Sequence, residues 1–165
     1  MSEIVEFYAG RKKDIWGRRI EDIWAYTDWE LEEVHNYIQW LFPLWTPGVA
    51  AAPLLDEETI AAFRDSAQLR ERLLKSFDVM VAFYGLRREG NEVVRDDSFR
   101  RCARNWLTRH NHNFLRITRI LTCLRELSLT SWSRAFFRCL EGIYGEWPDV
   151  IGAESMWYWR EAGGE

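Results

Sequence analysis

A run of four polar residues in the second half of the chain is the best candidate for a chemical site. It consists of His110, Asn111, His112 and Asn113. Asn111 or Asn113 is a suitable N-cap for the helix predicted to follow, and the exposed N–H groups of a first helical turn bind anions. Arg116 and Arg119, about 60° apart on that helix, can jointly hold a carboxylate or a phosphate. The alternatives are capping and loop hydrogen bonds for the polar run, and ion pairs with acidic residues of the chain for the two arginines.

A second candidate is the pair Glu32-x-x-His35, whose spacing is that of the carboxylate-bridged di-iron bundles. Such a site needs a second copy of the motif. The other two histidines of the chain are preceded at that spacing by Leu107 and Arg109, so the second copy is missing. We therefore predict no metal ion and no cofactor.

His35 has another possible role, together with Gln39. The two residues are one turn apart at the edge of an apolar stripe, and they can line a polar pocket. The alternative is that His35 is simply a hydrogen-bonded histidine at a helix interface. The complete set of predicted ligand-binding residues is His110, Asn111, His112, Asn113, Arg116, Arg119, His35, Gln39 and Trp40.

No catalytic residue is predicted, because no catalytic motif is recognisable. The sequence has no G-x-S-x-G elbow, P-loop, dinucleotide fingerprint, H-E-x-x-H or kinase signature. We therefore predict a non-enzymatic binding module that takes a peptide or protein segment in an aromatic-rich groove. Since active sites assemble in space, an enzyme that uses the His110–Arg116 cluster stays open as an alternative.

The distribution of charge offers a further alternative. The net charge is −4, yet residues 97–138 carry nine arginines against Asp97 and Glu126. Such an arginine-rich face can bind nucleic acid or another polyanion. These arginines can also be ordinary solvated residues, or face the acidic segment from Glu21 to Glu33, and the acidic overall balance favours that interpretation. The nine are Arg100, Arg101, Arg104, Arg109, Arg116, Arg119, Arg125, Arg134 and Arg138.

Composition indicates a well-packed protein of a reducing compartment. Hydrophobic residues make up 47% of the chain and ten residues are tryptophan, which argues against disorder. The three cysteines show no C-x-x-C spacing, and no stretch approaches the ~18 apolar residues of a membrane span. The N-terminal residues lack the pattern of a secretory signal. We expect a cytoplasmic protein, or a nuclear one in a eukaryote, and the oligomeric state stays open.

The predicted fold is all-α: one compact orthogonal or irregular bundle over residues 1–165, with about seven to nine helices judged from periodicity. Its centre is a helix predicted from Asp28 to Leu44, which Thr27 and Glu30 cap and Pro43 ends. Ala67–Tyr84 has the clearest apolar stripe and a C-capping glycine, Gly85. Pro47-Gly48 and the small residues up to Pro53 predict a loop.

Several strings resemble the conserved domain of the opioid growth factor receptor family. They are FYAG (7–10), IEDIW (20–24), LEEVHNYIQWLFPL (31–44), Pro47-Gly48, ERLLKSFDVMVAFYGLR (71–87), and HNFLRITRIL (112–121) followed by Leu124, Glu126 and Leu127. They occur in the family's order, and YIQWLFP together with RITRIL is specific. The family-like region covers about residues 7–130, and helices over residues 131–162 match more loosely.

The resemblance implies a receptor-like signalling domain. The animal member of the family is a receptor for the peptide Met-enkephalin, is associated with the nucleus and restrains cell proliferation. The family provides no catalytic residues and no ligand residues that can be assigned to positions in this chain. The sequence lacks the animal receptor's long repeat-bearing tail, so we expect a bare-domain, bacterial-type version, a peptide or protein ligand, and no membrane span.

Overall fold

The fold is predominantly α-helical, which confirms the predicted class. The computed structural model describes residues 2–48 and 51–164. It is 63% helical, with eleven helices and one small two-stranded sheet in this described part. The number of helices exceeds the prediction because two of them, α4 and α10, are only four residues long. No described helix has the length and apolar character needed to cross a membrane.

The chain divides into two compact units, Met1–Val79 and Met80–Glu165. The organisation of residues 1–165 as one domain stays a prediction. The helices of the first unit are α1 (Glu3–Tyr8), α2 (Ile20–Trp24), α3 (Asp28–Glu33), α4 (Ile38–Leu41), α5 (Glu57–Asp65) and the first part of α6 (Ala67–Phe83). Of the predicted loop up to Pro53, residues 49 and 50 lie outside the described residues.

Local capping signals in the first unit are confirmed. The Thr27 hydroxyl accepts a hydrogen bond from the Glu30 N–H at 3.2 Å, and the Glu30 carboxylate accepts one from the Thr27 N–H at 2.9 Å. Asp56 likewise accepts a hydrogen bond from the Thr59 N–H at 2.8 Å at the start of α5. These side chains satisfy N–H groups that a helix start leaves without partners.

The prediction of one central helix over residues 28–44 is wrong. The segment forms two short helices, α3 and α4, because Val34 turns to an extended conformation with φ −83° and ψ 128°. The freed carbonyl of Leu31 accepts a hydrogen bond from the Tyr37 hydroxyl at 2.6 Å. That of Asn36 accepts one from the Arg18 guanidinium at 3.1 Å. Side-chain hydrogen bonds thus replace the helical ones.

Arg18 stabilises the break between α3 and α4. Its guanidinium also donates to the Asp14 carboxylate at 2.7 Å, to Asn36 Oδ1 at 2.8 Å and to the Tyr26 hydroxyl at 3.2 Å. The Asp14 side chain is fully buried, and its second oxygen accepts the backbone N–H groups of Trp16 and Arg18. A largely buried and extensively hydrogen-bonded ion pair therefore stabilises the chain path between α3 and α4.

The second unit begins with the end of α6 and a hairpin. Its elements are β1 (Leu86–Glu89), β2 (Glu92–Arg95), α7 (Phe99–Trp106), α8 (Asn113–Glu126), α9 (Thr130–Glu146), α10 (Pro148–Ile151) and α11 (Ala153–Gly163). The strands are antiparallel and pair Leu86 with Arg95 and Glu89 with Glu92. Gly85 links α6 to β1 with φ +80°, which confirms its predicted capping role.

Three helices of the second unit, α8, α9 and α11, make its most extensive helix contacts. The Trp159 indole N–H donates to the Phe114 carbonyl at 3.1 Å, and the Ser133 hydroxyl donates to the Leu121 carbonyl at 2.7 Å. Arg125 donates to the last carbonyls of α11, those of Glu161 and Ala162, at 2.9 Å each. These bonds hold α9 and α11 against α8 and set the surfaces that the two helices expose.

Candidate functional site

The polar run from His110 to Asn113 lies in the turn between α7 and α8, where its two asparagines organise the backbone. The Asn111 side chain accepts hydrogen bonds from the Asn113 N–H at 2.9 Å and the Asn113 amide at 3.0 Å, and it donates to the Thr108 hydroxyl at 2.9 Å. Asn113 is fully buried and accepts a hydrogen bond from the Tyr84 hydroxyl at 3.2 Å. His110 and His112 are exposed, and His110 has φ +57°. The asparagines therefore serve the local fold, while the histidines stay accessible.

The two arginines that the sequence places beside this run are largely withdrawn from solvent on α8. Arg116 is buried, with 6% of its surface exposed, and Arg119 is half-buried. Burial lowers the pKa of Arg119 and raises that of the fully buried Cys123 thiol beside it. Binding by the predicted Arg116–Arg119 pair therefore stays a prediction, and it would require an anion to enter the interior of this unit.

A cavity of about 220 Å³ opens beside His110. It is lined by Arg109, His110 and Phe114, and by the segment from Asp149 to Ser155, which joins α10 to the first residues of α11. His112, Arg116 and Trp157 are not among its lining residues. The cavity thus includes one member of the predicted cluster rather than the cluster as a whole.

The other three predicted residues lie in the first unit. His35 is exposed in the break between α3 and α4, while Gln39 and Trp40 are buried on α4. The Trp40 ring packs on Phe7 with 5.2 Å between ring centroids. The buried Gln39 Oε1 and Trp40 Nε1 atoms find no hydrogen-bond partner among the described residues. His35 and Gln39 therefore differ in exposure, and the polar pocket stays a prediction.

A second cavity, larger than the one beside His110, was not predicted from the sequence. It is a groove of about 410 Å³ in the second unit, between α9 and α11. We call it the α9–α11 groove, and its lining residues are Arg134, Phe137, Arg138, Glu141, Arg160, Glu161, Gly163 and Gly164. Its α9 side is an i, i+3, i+4, i+7 stripe from Arg134 to Glu141, which places four side chains on one helix face.

The two helices of this groove run antiparallel. Gly163, at the end of α11, is so close to Ser133 that an added Cβ would lie 3.1 Å from its carbonyl oxygen. At the other end, the Arg160 guanidinium lies 5.8 Å from the centre of the Phe137 ring and 3.6 Å from the Glu141 carboxylate. The groove consequently has a glycine-lined end near Ser133 and Arg134, and a mixed-charge end where Arg160 meets Glu141.

Exposed aromatic residues continue this surface along α11. Trp157 is 55% exposed and Tyr158 is 47% exposed, and their rings meet edge to face at 5.1 Å. Trp157 precedes Arg160 by three residues and Glu161 by four, so it shares their face of the helix. The face thus joins arginine side chains to an accessible indole, in place of the mainly aromatic lining that the sequence predicts.

The signal for this groove in the sequence was incomplete. The stripe on α9 mixes arginine, phenylalanine and glutamate, so its pattern resembles that of a solvated helix face. The groove lies where α9 meets the end of α11, with Gly163 packed closely against Ser133, and this pairing joins residues about thirty positions apart. A sequence pattern can predict each helix, but it cannot predict which faces of two helices meet.

The nine arginines of residues 97–138 do not form one face. Arg116 and Arg119 are buried or half-buried, Arg125 caps α11, and Arg134 and Arg138 line the α9–α11 groove. The remaining four are exposed on α7 or just after it: Arg100, Arg101, Arg104 and Arg109.

Comparison with known proteins identifies relatives over most of this length. The pattern of the opioid growth factor receptor (OGFr) conserved region matches residues 5–159. Opioid growth factor receptor of Mus musculus is 44% identical over 130 residues, which cover 74% of this chain and 20% of that protein. The Homo sapiens receptor is 41% identical over 127 residues, covering 72% of this chain and 18% of that protein. Opioid growth factor receptor-like protein 1 of Mus musculus is 37% identical over 113 residues, or 62% of this chain and 23% of that protein.

The matched region is a small part of these relatives, since the chain spans about a fifth of their length. No solved structure matches the chain. The relatives are named as receptors and not as enzymes, in agreement with the prediction of a non-enzymatic module. The match over residues 5–159 confirms the resemblance seen in the sequence, and the chain belongs to the opioid growth factor receptor family.

Proposed function

We propose that this protein is a recognition module that holds a peptide segment in the α9–α11 groove. The observation that carries the proposal is the combination, on one face, of a 410 Å³ groove with accessible arginine and aromatic side chains. Arginine, tryptophan and tyrosine contribute most to the binding energy of protein interfaces. The receptor names of the relatives also suggest ligand binding.

The groove favours a peptide that carries a carboxylate and an apolar side chain. Arg134 and Arg138, one turn apart on α9, are exposed along the groove and can form hydrogen bonds with a carboxylate. Phe137, 7% exposed, presents an apolar edge in the middle of the groove. Trp157 offers a large rigid surface beyond it. A peptide in the groove would gain free energy from burying the apolar surfaces of Phe137 and Trp157 and from charge-assisted hydrogen bonds to the arginines.

Isothermal titration calorimetry with two probes tests the proposal. The first probe is Met-enkephalin, because the relatives are named opioid growth factor receptors. The second is a ten-residue peptide with three glutamates and one central leucine. We expect micromolar binding of at least one probe, and about tenfold weaker binding in Trp157→Ala and in Arg138→Ala, equivalent to about 1.4 kcal/mol.

Trp29→Ala is the matched control, since Trp29 is a 71% exposed tryptophan on α3 in the first unit. We expect it to bind like the wild type. No measurable heat with either peptide at millimolar concentration would overturn the proposal. So would equal affinity of the wild type and the Trp157→Ala variant, since the ligand would then bind elsewhere.

A further inference from the structure

Helix α7 presents a charged surface that the peptide proposal does not use. We call it the α7 arginine face, and it consists of Arg100, Arg101 and Arg104, with Arg109 just beyond the helix end. The three helical arginines fall within an arc of about 100°, and Arg100 and Arg104 are about 6 Å apart along the axis. All four residues are exposed. The opposite side of α7 is buried through Phe99, Cys102 and Trp106.

The charges of this face are available to a partner. In the described part of the chain, no ion pair joins Arg100, Arg101, Arg104 or Arg109 to a carboxylate. The second unit carries thirteen arginines, no lysine and eleven acidic residues, so its net charge is +2 although the whole chain is acidic. Arginine has a planar fork of donors that matches phosphate oxygens.

The neighbouring side chains decide what kind of polyanion fits. None of the large exposed hydrophobic residues lies on α7, and the accessible neighbours are the polar Asn105 and Thr108. Protein interfaces need an apolar centre, whereas protein–nucleic acid interfaces are more polar and strongly positive. The same lack of exposed aromatic rings removes the stacking platforms that single strands use. The surface therefore suits the phosphate backbone of a duplex.

We propose that the α7 arginine face binds the sugar–phosphate backbone of duplex nucleic acid, without reading its sequence. Each arginine that neutralises a phosphate releases a counterion, so the binding constant depends steeply on salt. With three to four phosphate contacts, the slope of log K against log salt is about −3 to −4. The face is separate from the α9–α11 groove, which lies on other helices, so peptide and duplex binding can fail independently.

The test measures fluorescence anisotropy of a labelled 20-base-pair DNA duplex, and of its RNA counterpart, between 25 and about 200 mM salt, the range in which such contacts weaken strongly. The α7 variant carries Arg100→Gln, Arg101→Gln and Arg104→Gln. Glutamine keeps the helix propensity and the exposed stems. We expect the variant to lose about three units of the salt slope and most of its affinity at low salt. Single Arg→Gln variants, each expected to lose about one unit, replace the triple variant if it does not fold.

The matched control removes three arginines from the α9–α11 groove, through Arg134→Gln, Arg138→Gln and Arg160→Gln. It should bind duplex like the wild type, while the α7 variant should still bind the groove peptide. Failure of both duplexes to bind at 25 mM salt, or equal duplex affinity of the α7 variant and the wild type, would overturn the inference. Tighter binding of a polyglutamate peptide than of either duplex at this face would also overturn it, because the partner would then be an acidic protein segment.

Discussion

Replacing Arg18 with alanine should destabilise the first unit severely. The substitution removes four hydrogen bonds, which end on the Asp14 carboxylate, the Tyr26 hydroxyl and two oxygens of Asn36. The Arg18 side chain is 14% exposed and that of Asp14 is fully buried, so solvent screens the pair weakly. Removing one partner of a buried pair leaves the other charge uncompensated, at a cost of about 3–5 kcal/mol. This cost is a large fraction of the ~5–15 kcal/mol that stabilises a domain.

Arg11 provides the matched control. It also forms a doubly hydrogen-bonded ion pair, with Glu6, but its side chain is 57% exposed. Since exposed pairs are screened by water and salt, Arg11→Ala should unfold at nearly the wild-type denaturant concentration. Arg18→Ala breaks a largely buried pair and also removes the hydrogen bonds to Tyr26 and Asn36, whereas Arg11→Ala breaks an exposed pair alone.

The measurement is urea unfolding followed by tryptophan fluorescence and circular dichroism. The double variant Asp14→Ala/Arg18→Ala should lose less stability than the sum of its single variants, because no buried carboxylate is then left unpaired. An Arg18→Ala variant that unfolds together with Arg11→Ala would refute the reasoning. Fully additive losses in the double variant would refute it as well.

Three further predictions concern a glycine, a thiol and a helix cap. Gly85→Ala should lower the free energy of unfolding, measured in urea, by about 3–5 kcal/mol, because φ is +80° and the new Cβ would lie 2.6 Å from the Phe99 Cα. Its control is Gly90→Ala, where φ is +60° but the surrounding space is open, and the loss should be only about 1 kcal/mol. Burial raises the pKa of the Cys139 thiol to about 11. Iodoacetamide at about pH 8 should therefore modify this thiol about a hundredfold more slowly than a free cysteine. Rapid labelling of Cys139, followed by mass spectrometry, would contradict this. Hydrogen bonds from the Thr59 side chain and N–H lower the pKa of Asp56 below its ordinary 3.8. The stability that the Asp56 carboxylate contributes should therefore persist above pH 3.8 and be lost as the pH falls through the lowered pKa. In acid unfolding, the Asp56→Asn variant should lack this loss. Identical acid-unfolding profiles of the variant and the wild type would contradict the prediction.

Local signals in the sequence were sufficient for the fold class and for the bounds of helix α6. Helix α6 was predicted over Ala67–Tyr84 and spans Ala67–Phe83, because its apolar stripe and its C-capping glycine are properties of consecutive residues. The cap at Thr27 forms with a residue only three positions away, so it too follows from the local sequence. Family membership was likewise readable, since it depends on strings such as YIQWLFP and RITRIL.

The candidate site, the break between α3 and α4, and the exposure of individual arginines could not be predicted from local signals. Periodicity favoured a continuous helix through Val34, yet Arg18, sixteen residues earlier, provides hydrogen bonds that make the break favourable. The count of positive charges gave Arg116 and Arg104 the same weight. Packing buries the Arg116 side chain and leaves that of Arg104 on the surface.

The sequence by itself therefore determined the helical class, the bounds of α6 to within one residue, and which family the chain belongs to. Tertiary structure alone decided that α9 and α11 leave a groove between them, and which arginines reach solvent. The physical reason is range. Capping and helical periodicity act within one or two turns of the same helix, whereas burial and groove shape depend on which faces of distant helices pack together.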